Sequence, residues 1–191
     1  MKYEICRVKT QELIAVADIG CDGKAGAATQ AGLALLWAVQ HGVNLDGAEL
    51  NFAKLRKVNL RGANLQGAEL SGADFQDADL TGANFLQAEL VDANFCRAQL
   101  SDADLTSANL TGACFYKACA RGANFTAAEF KADGTESGAD FSLADLSRAS
   151  LTGTRFLDAC FDGAVLTGVD LSDLADADEL ENLEELNDAD E

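Results

Sequence analysis

Cysteines, carboxylates and a single histidine are the side chains of this chain that could carry out chemistry, and their spacing argues against an active site. His41 is the only histidine, and a catalytic triad or a histidine-based metal site needs further partners. Cys114 and Cys119 are five residues apart, which is not the CxxC spacing of zinc sites. Asp140 and Asp145 share that spacing, and no glycine-rich phosphate loop lies between a strand and a helix. The sequence therefore predicts a protein that is not an enzyme and uses no cofactor or metal.

The spacing of five belongs to the whole chain. The pentapeptide Ala63-Asn64-Leu65-Gln66-Gly67 is followed at once by related pentapeptides, and the pattern runs from about Val43 to Asp173. The third, or central, residue is nearly always Leu or Phe, and the residue two before it is nearly always Ala. Neither a helix nor a flat strand has this period, so it indicates a solenoid. Its two apolar positions must point inwards and the other three outwards.

The Ala-(Asp/Asn)-(Leu/Phe)-x-x pattern resembles the repeats of the pentapeptide repeat family. This resemblance implies an all-β solenoid, the right-handed quadrilateral β-helix known as the Rfr fold. In that fold each pentapeptide forms one side of a coil and four form a complete coil. The resemblance covers about two thirds of the chain.

The segment before the repeat is predicted to cap its first coil. Within residues 1–42, alternating apolar residues predict strands near Tyr3–Val8 and Leu13–Ile19. A helix is predicted over about 29–41, with Thr29 as its N-cap. A solenoid leaves an open core and unpaired backbone at its end, so a cover is physically required.

The repeat is predicted to occupy residues 43–173, with a register break at about 133–138. In this prediction Thr135 is a degenerate central residue and Gly138 is an extra residue. Whether the resulting bulge has a function stays open. Residues 174–191 have leucines at helical spacing, which predicts a short, acidic C-terminal helix that covers the last coil.

Net charge constrains the partners. The chain carries a formal charge of -18, and the ten acids of residues 173–191, with no base, supply more than half of it. Such a chain is not expected to bind nucleic acid directly, because phosphate contacts need clustered Lys and Arg. It has no apolar run long enough to span a bilayer and no signal peptide, so a cytoplasmic protein with free thiols is expected.

Stacking every twentieth residue sorts the repeats onto four faces, which we number by their first central residues: Leu45 for face 1, Leu50 for face 2, Leu55 for face 3 and Leu60 for face 4. In the core, face 3 is predicted to stack Phe75, Phe95 and Phe115. On the surface, face 1 has a column of Asn, which we interpret as amides that bond to one another and to turn backbone. The candidate interaction residues lie on faces 2 and 3.

Face 2 presents a line of acids and face 3 a cluster of bases. Each has two interpretations, a solvated face or a surface that binds a partner of opposite charge. The acids precede the central residues of face 2: Glu49, Glu69, Glu89 and Glu129. The bases of face 3, with one tyrosine among them, are Lys54, Arg56, Lys57, Arg97, Lys117 and Arg155, with Tyr116.

Three functions are compatible with this sequence. The first is a rigid scaffold for protein–protein interaction, whose protein partner the sequence does not identify. The second rests on the family resemblance: some members resemble a DNA duplex in shape and charge and bind DNA gyrase or topoisomerase IV. The third is a structural solenoid whose acidic tail serves solubility. A monomer and an end-to-end homodimer are both compatible with the sequence.

Overall fold

The repeat folds as a solenoid whose successive coils are joined by parallel pairing. In the computed structural model, Glu49 pairs with Glu69, and Glu69 pairs with Glu89. Equivalent pairs on all four faces are 20 residues apart, so one coil contains four pentapeptides. The stacking predicted from the sequence is therefore confirmed as far as Phe130. The structure describes residues 1–7, 10–20, 24–130, 138–154, 156 and 159–170.

Each pentapeptide forms one short wall of the coil and then turns a corner. Leu65 N–H donates to Asn84 O of the next coil at 2.8 Å, and Asn84 N–H donates to Ala63 O at 2.9 Å. Ala68 N–H donates to Leu65 O at 3.1 Å, which closes a β-turn. Gly67, the third residue of that turn, has a φ of 60°, as a type II turn requires.

Small and large apolar side chains fill the narrow interior. The alanines of the repeat and the central Leu and Phe residues are almost all buried. On face 3 the rings of Phe75 and Phe95 stack with centroids 5.1 Å apart, and those of Phe95 and Phe115 are 4.9 Å apart. Phe85 meets Phe95 edge-on at 6.2 Å. The predicted column of phenylalanines is thus confirmed.

After Phe130 the register differs from the predicted one. Cys114 pairs with Asp140, so partners here are 26 residues apart. Phe141 then stacks on Phe115 with centroids 4.6 Å apart, and it continues face 3 in the place that the sequence prediction gave to Thr135. That prediction was wrong. In the sequence, residues 131–138 lack an Ala followed two residues later by Leu or Phe, and this pair returns with Ala139 and Phe141.

The corrected register moves every later repeat by one face. Ala120 N–H donates to Asp145 O at 2.8 Å, so Leu146 follows Ala120 on face 4. Phe156 stacks on Phe130 of face 2 with centroids 4.9 Å apart. The wall centred on Phe156 therefore continues face 2, whereas the predicted register placed it on face 3. Arg155, Thr135 and residues 174–191, with their predicted helix, lie outside the described residues.

The N-terminal segment covers the first coil with two strands and a helix. Strand β1, Lys2–Cys6, pairs antiparallel with β2, Leu13–Asp18. The sheet joins the solenoid where Glu49 N–H donates to Cys6 O at 2.9 Å. The second strand is close to its predicted bounds, and Val8, predicted to end the first, lies outside the described residues.

Helix α1 spans Ala27–Gln40, and Gly26 is its N-cap. Thr29 lies inside the first turn, so its prediction as the N-cap was wrong; Gly26 caps the helix through its extended backbone without a side-chain hydrogen bond. Lys54 N–H donates to Ala28 O at 3.0 Å. A Cβ on Gly32 would collide with the carbonyl oxygen of Lys54. The helix therefore packs directly on the first coil, and only glycine permits this approach.

The phenylalanine column predicts a large loss of stability for Phe95→Ala. Phe95 is fully buried between two stacked rings, so its truncation should lower the free energy of unfolding by about 3–5 kcal/mol. Chemical denaturation followed by circular dichroism measures this loss. Phe52→Ala is the matched control: this phenylalanine is 66% exposed, so its truncation should cost less than about 1 kcal/mol. Equal losses for both variants would contradict the column.

Candidate interaction surface

Of the residues that first suggested chemistry, His41 lies apart, whereas Asp140 and Asp145 pair with Cys114 and Cys119 of the coil before. His41 ends helix α1, where its ring stacks on Trp37 with centroids 4.2 Å apart. Cys114 and Cys119 lie on neighbouring faces, in pairs with Asn94 and Gln99 of the coil before. Within the described residues, no group of three or more His, Cys, Asp or Glu side chains could hold a metal ion.

The asparagine column of face 1 is satisfied by its own members. Asn84 Nδ2 donates to Asn64 Oδ1 at 3.2 Å, and Asn64 Nδ2 donates to Asn44 Oδ1 at 3.3 Å. Asn64 Oδ1 also accepts from Gln66 N–H at 3.3 Å, two residues later in the turn. This confirms the ladder interpretation. The column serves the fold, because each amide bonds to its neighbour and to a corner of the coil.

The acidic line of face 2 follows five successive coils in register, with Asn109 in the fourth, between Glu89 and Glu129. Amides separate some of the like charges. Asn109 Nδ2 donates to Glu89 Oε2 at 2.9 Å, and Asn51 Nδ2 donates to Glu69 Oε2 at 3.2 Å. Glu49 and Glu129 are exposed. The line thus combines hydrogen-bonded carboxylates at Glu69 and Glu89 with exposed carboxylates at its two ends.

Face 3 carries the basic cluster, but acids lie among its bases. Arg97 donates to both carboxylate oxygens of Asp77, from Nε at 2.7 Å and from Nη2 at 3.0 Å. Arg56 Nε lies 3.8 Å from Asp74 Oδ2. The hydrogen bond from Arg97 lowers the pKa of Asp77, and the charges of Arg97, Lys57 and Arg56 add to this effect. The two arginines of the cluster are therefore largely neutralised by these pairs.

The lysines of face 3 keep their charge. No carboxylate among the described residues lies within salt-bridge distance of Lys54, Lys57 or Lys117, and all three side chains are exposed. Lys117 Nζ lies 5.0 Å from the centre of the Tyr116 ring, which is a cation–π contact. The face thus has positive groups at two levels, with the Arg97–Asp77 pair between them.

Sequence reasoning missed the acids because it compared only residues twenty apart in one column. A second relation is diagonal and joins residues 18 apart. The first residue directly follows a central residue, and the second directly precedes the central residue of the same face in the next coil. This relation pairs Arg56 with Asp74 and Arg61 with Asp79, whose atoms are 3.8 and 3.3 Å apart. Opposite charges at this spacing are a signal that the sequence already contained.

A model of a known protein family also matches the repeat. The family model described as pentapeptide repeats matches eight copies within residues 41–62, 59–95, 88–126 and 137–178, more than half of the chain. The chain belongs to the pentapeptide repeat family. No curated protein matches this pentapeptide repeat protein significantly.

Several solved structures are similar to this pentapeptide repeat protein. One is a pentapeptide repeat protein from the Arabidopsis thaliana thylakoid lumen, with 28% identity, 68% of this chain and 75% of that chain covered, and a TM-score of 0.33. Rfr23 from the cyanobacterium Cyanothece 51142 has 22% identity, with 67% of this chain and 91% of that chain covered and a TM-score of 0.44. Trypsin-treated QnrB1, a plasmid-mediated fluoroquinolone resistance protein, has 20% identity, with 75% of this chain and 82% of that chain covered and a TM-score of 0.32.

No helix of the described residues is long and apolar enough to cross a bilayer.

The Arg97–Asp77 pair predicts a measurable pKa difference. Arg97 favours the ionised carboxylate, so the pKa of Asp77 in the folded protein lies below its ordinary value of about 3.9. The pair therefore stabilises the fold fully above that value, and its contribution is lost as the pH falls through the lowered pKa. Carboxyl NMR titration should show a higher pKa for Asp77 in Arg97→Gln. Lys117→Gln is the control and should leave it unchanged; an unchanged pKa in Arg97→Gln would contradict the pair.

Proposed function

We propose that this pentapeptide repeat protein is a non-enzymatic interaction module and that it binds an acidic surface of another protein through face 3. The observation that supports this most directly is a set of exposed lysines, Lys54, Lys57 and Lys117, none of which has a salt bridge to the described residues. They share face 3 with Tyr116, on a wall whose backbone is held by the coil. The lysines supply attraction, and Tyr116 supplies contact area at a low cost in conformational entropy.

The solenoid contributes by holding these groups in place before binding. Lys57 N–H donates to Gln76 O at 2.9 Å, and Lys117 N–H donates to Ser142 O at 3.0 Å. Both residues lie at corners with a positive φ, and neighbouring coils fix both backbones. Binding therefore has to order only side chains, which lowers its entropic cost.

Charge on the adjacent face would set the orientation of the partner. Face 2 presents the exposed carboxylates of Glu49, Glu89 and Glu129 beside the basic face 3. A partner that reaches around this corner must place acids against face 3 and bases or hydrogen-bond donors against face 2. Like-charge contacts in the reverse orientation are unfavourable, so the two faces together would select one orientation.

We further propose that the coil follows the right-handed quadrilateral path that the family resemblance implies. Parallel crossover connections of the opposite hand are rare. A cytoplasmic location and either a monomer or an end-to-end homodimer complete this proposal.

A second candidate function is mimicry of DNA toward gyrase or topoisomerase IV. It is favoured by the family resemblance and by the net charge of -18. The distribution of charge favours the first candidate, because more than half of the negative charge belongs to residues 173–191. Face 3 is basic in addition, whereas a DNA mimic should be acidic all around.

Charge reversal on face 3 tests the first candidate. The variant Lys54→Glu, Lys57→Glu, Lys117→Glu should lose its partner in affinity capture from a lysate of the organism that encodes this chain. The isolated partner should then show a dissociation constant at least about tenfold higher for the variant, and binding to the native protein should weaken with salt.

Arg148→Glu is the matched control for this experiment, since Arg148 is exposed and belongs to face 4. It should retain the partner. Equal retention by the triple variant and the control would remove face 3 as the docking surface.

Gyrase supercoiling separates the two candidates. If face 3 binds an acidic protein, micromolar amounts of the native chain should leave gyrase and topoisomerase IV activity unchanged in vitro. Inhibition or protection that weakens at high salt, and persists in the triple face-3 variant, would instead establish the DNA-mimic function.

A further inference from the structure

Two thiols on face 3 are in direct contact across neighbouring coils. Cys96 Sγ lies 2.8 Å from Cys114 Sγ. Both cysteines are free and half-buried, so a small reagent can reach them. They occupy the same diagonal, 18 residues apart, that joins Arg56 to Asp74 lower on this face.

The coil holds both cysteines in this position through backbone hydrogen bonds. Phe95 N–H donates to Cys114 O at 2.7 Å, and Cys114 N–H donates to Ala93 O at 3.0 Å. Cys96 N–H donates to Asn94 Oδ1 at 3.0 Å. The two sulfur atoms therefore meet because of the register of the coils, and their proximity does not depend on a mobile segment.

The same diagonal occurs twice more with one serine in place of a cysteine. Ser101 Oγ lies 3.6 Å from Cys119 Sγ, and Ser142 Oγ lies 3.2 Å from Cys160 Sγ. These two pairs cannot form a disulfide within the pair. Among the described residues they are natural controls, because they share the geometry of the Cys96–Cys114 pair and differ in one side-chain atom.

We propose that Cys96 and Cys114 are a redox site, a dithiol that is oxidised reversibly to a disulfide by a low-molecular-weight disulfide such as oxidised glutathione. The product would cross-link two coils in the middle of face 3. This inference concerns the two thiols alone and does not depend on which protein, if any, face 3 binds.

The reaction is thiol–disulfide exchange in two steps. A cysteine thiolate attacks one sulfur of the oxidant, which forms a mixed disulfide and releases one small thiolate. The second cysteine loses its proton, attacks the protein sulfur of the mixed disulfide and releases the other small thiolate. The two cysteines lose two electrons and two protons in total, and the oxidant gains them as two thiols.

The distance between the two sulfur atoms suits disulfide formation. A disulfide bond is about 2.05 Å long, so the sulfur atoms need to approach by less than about 1 Å, which side-chain rotation can supply. Burial and the hydrogen bond with Cys114 raise the pKa of Cys96. Either cysteine can form the mixed disulfide, because the second attack gives the same product in both cases. Oxidation should take place over hours.

Peptide mapping of the full-length protein tests the proposal. The native chain is incubated with oxidised glutathione, alkylated in denaturant and digested with trypsin. Trypsin cleaves after Arg97 and Lys117, so Cys96, Cys114 and Cys119 fall in three peptides. The peptides of Cys96 and Cys114 should be linked, with the loss of two hydrogen atoms, at least about tenfold more often than any other pair. Dithiothreitol should reverse the link.

Two single variants complete the test. Cys119→Ser removes a thiol from the equivalent diagonal on face 4 and should leave the link unchanged. Cys96→Ser should abolish it and accumulate glutathione on Cys114. The proposal is overturned if Cys96 and Cys114 both remain alkylated in the folded protein. It is also overturned if they become linked only when denaturant is present during oxidation, since the register of the coils would then play no part.

Discussion

The structure depends on the stacking of four-walled coils around a narrow apolar interior. A small alanine and a large Leu or Phe point inwards from each wall, and the backbone of that wall bonds to the coils on either side. Thr154 shows how strict this interior is. It replaces an alanine, is almost fully buried, and is tolerated because its hydroxyl donates to Leu151 O at 2.6 Å. Any polar group at such a position must find a partner within the wall.

Equal coils convert sequence spacing into surface geometry. Residues 20 apart become vertical neighbours, as Asp77 and Arg97 do, and residues 18 apart become diagonal neighbours, as Arg61 and Asp79 do. A side chain substituted in one repeat therefore contacts neighbours whose positions follow from these two spacings. Before Phe130, charges, amides and thiols use the same two relations, so the Arg56–Asp74 ion pair and the Cys96–Cys114 dithiol occupy equivalent sites.

The four faces share the same backbone arrangement and differ in the side chains at their outward positions. Face 1 satisfies its amides internally and leaves little to bind. Face 3 pairs Arg56 and Arg97 with Asp74 and Asp77, whereas Lys54, Lys57 and Lys117 have no salt bridge within the part of the chain that the structure describes. A count of the bases overstates the positive charge of face 3, because its arginines are paired with acids. The count also does not distinguish these arginines from the lysines. Binding on this face is better judged from unpaired charge than from net charge.

The sequence by itself determined the solenoid, its interior and its columns up to Phe130, because a strict period of five leaves only one way to bury both Ala63 and Leu65. Helix α1 was predictable to within a few residues, but its N-cap was not, since Gly26 caps it through backbone conformation alone. Only the tertiary structure decided how the register resumes after Phe130. The intervening segment has no apolar pair to fix its length, so the stacking of Phe141 on Phe115 had to set it. The same holds for the Cys96–Cys114 contact, which requires two coils to be in register before either thiol has a neighbour.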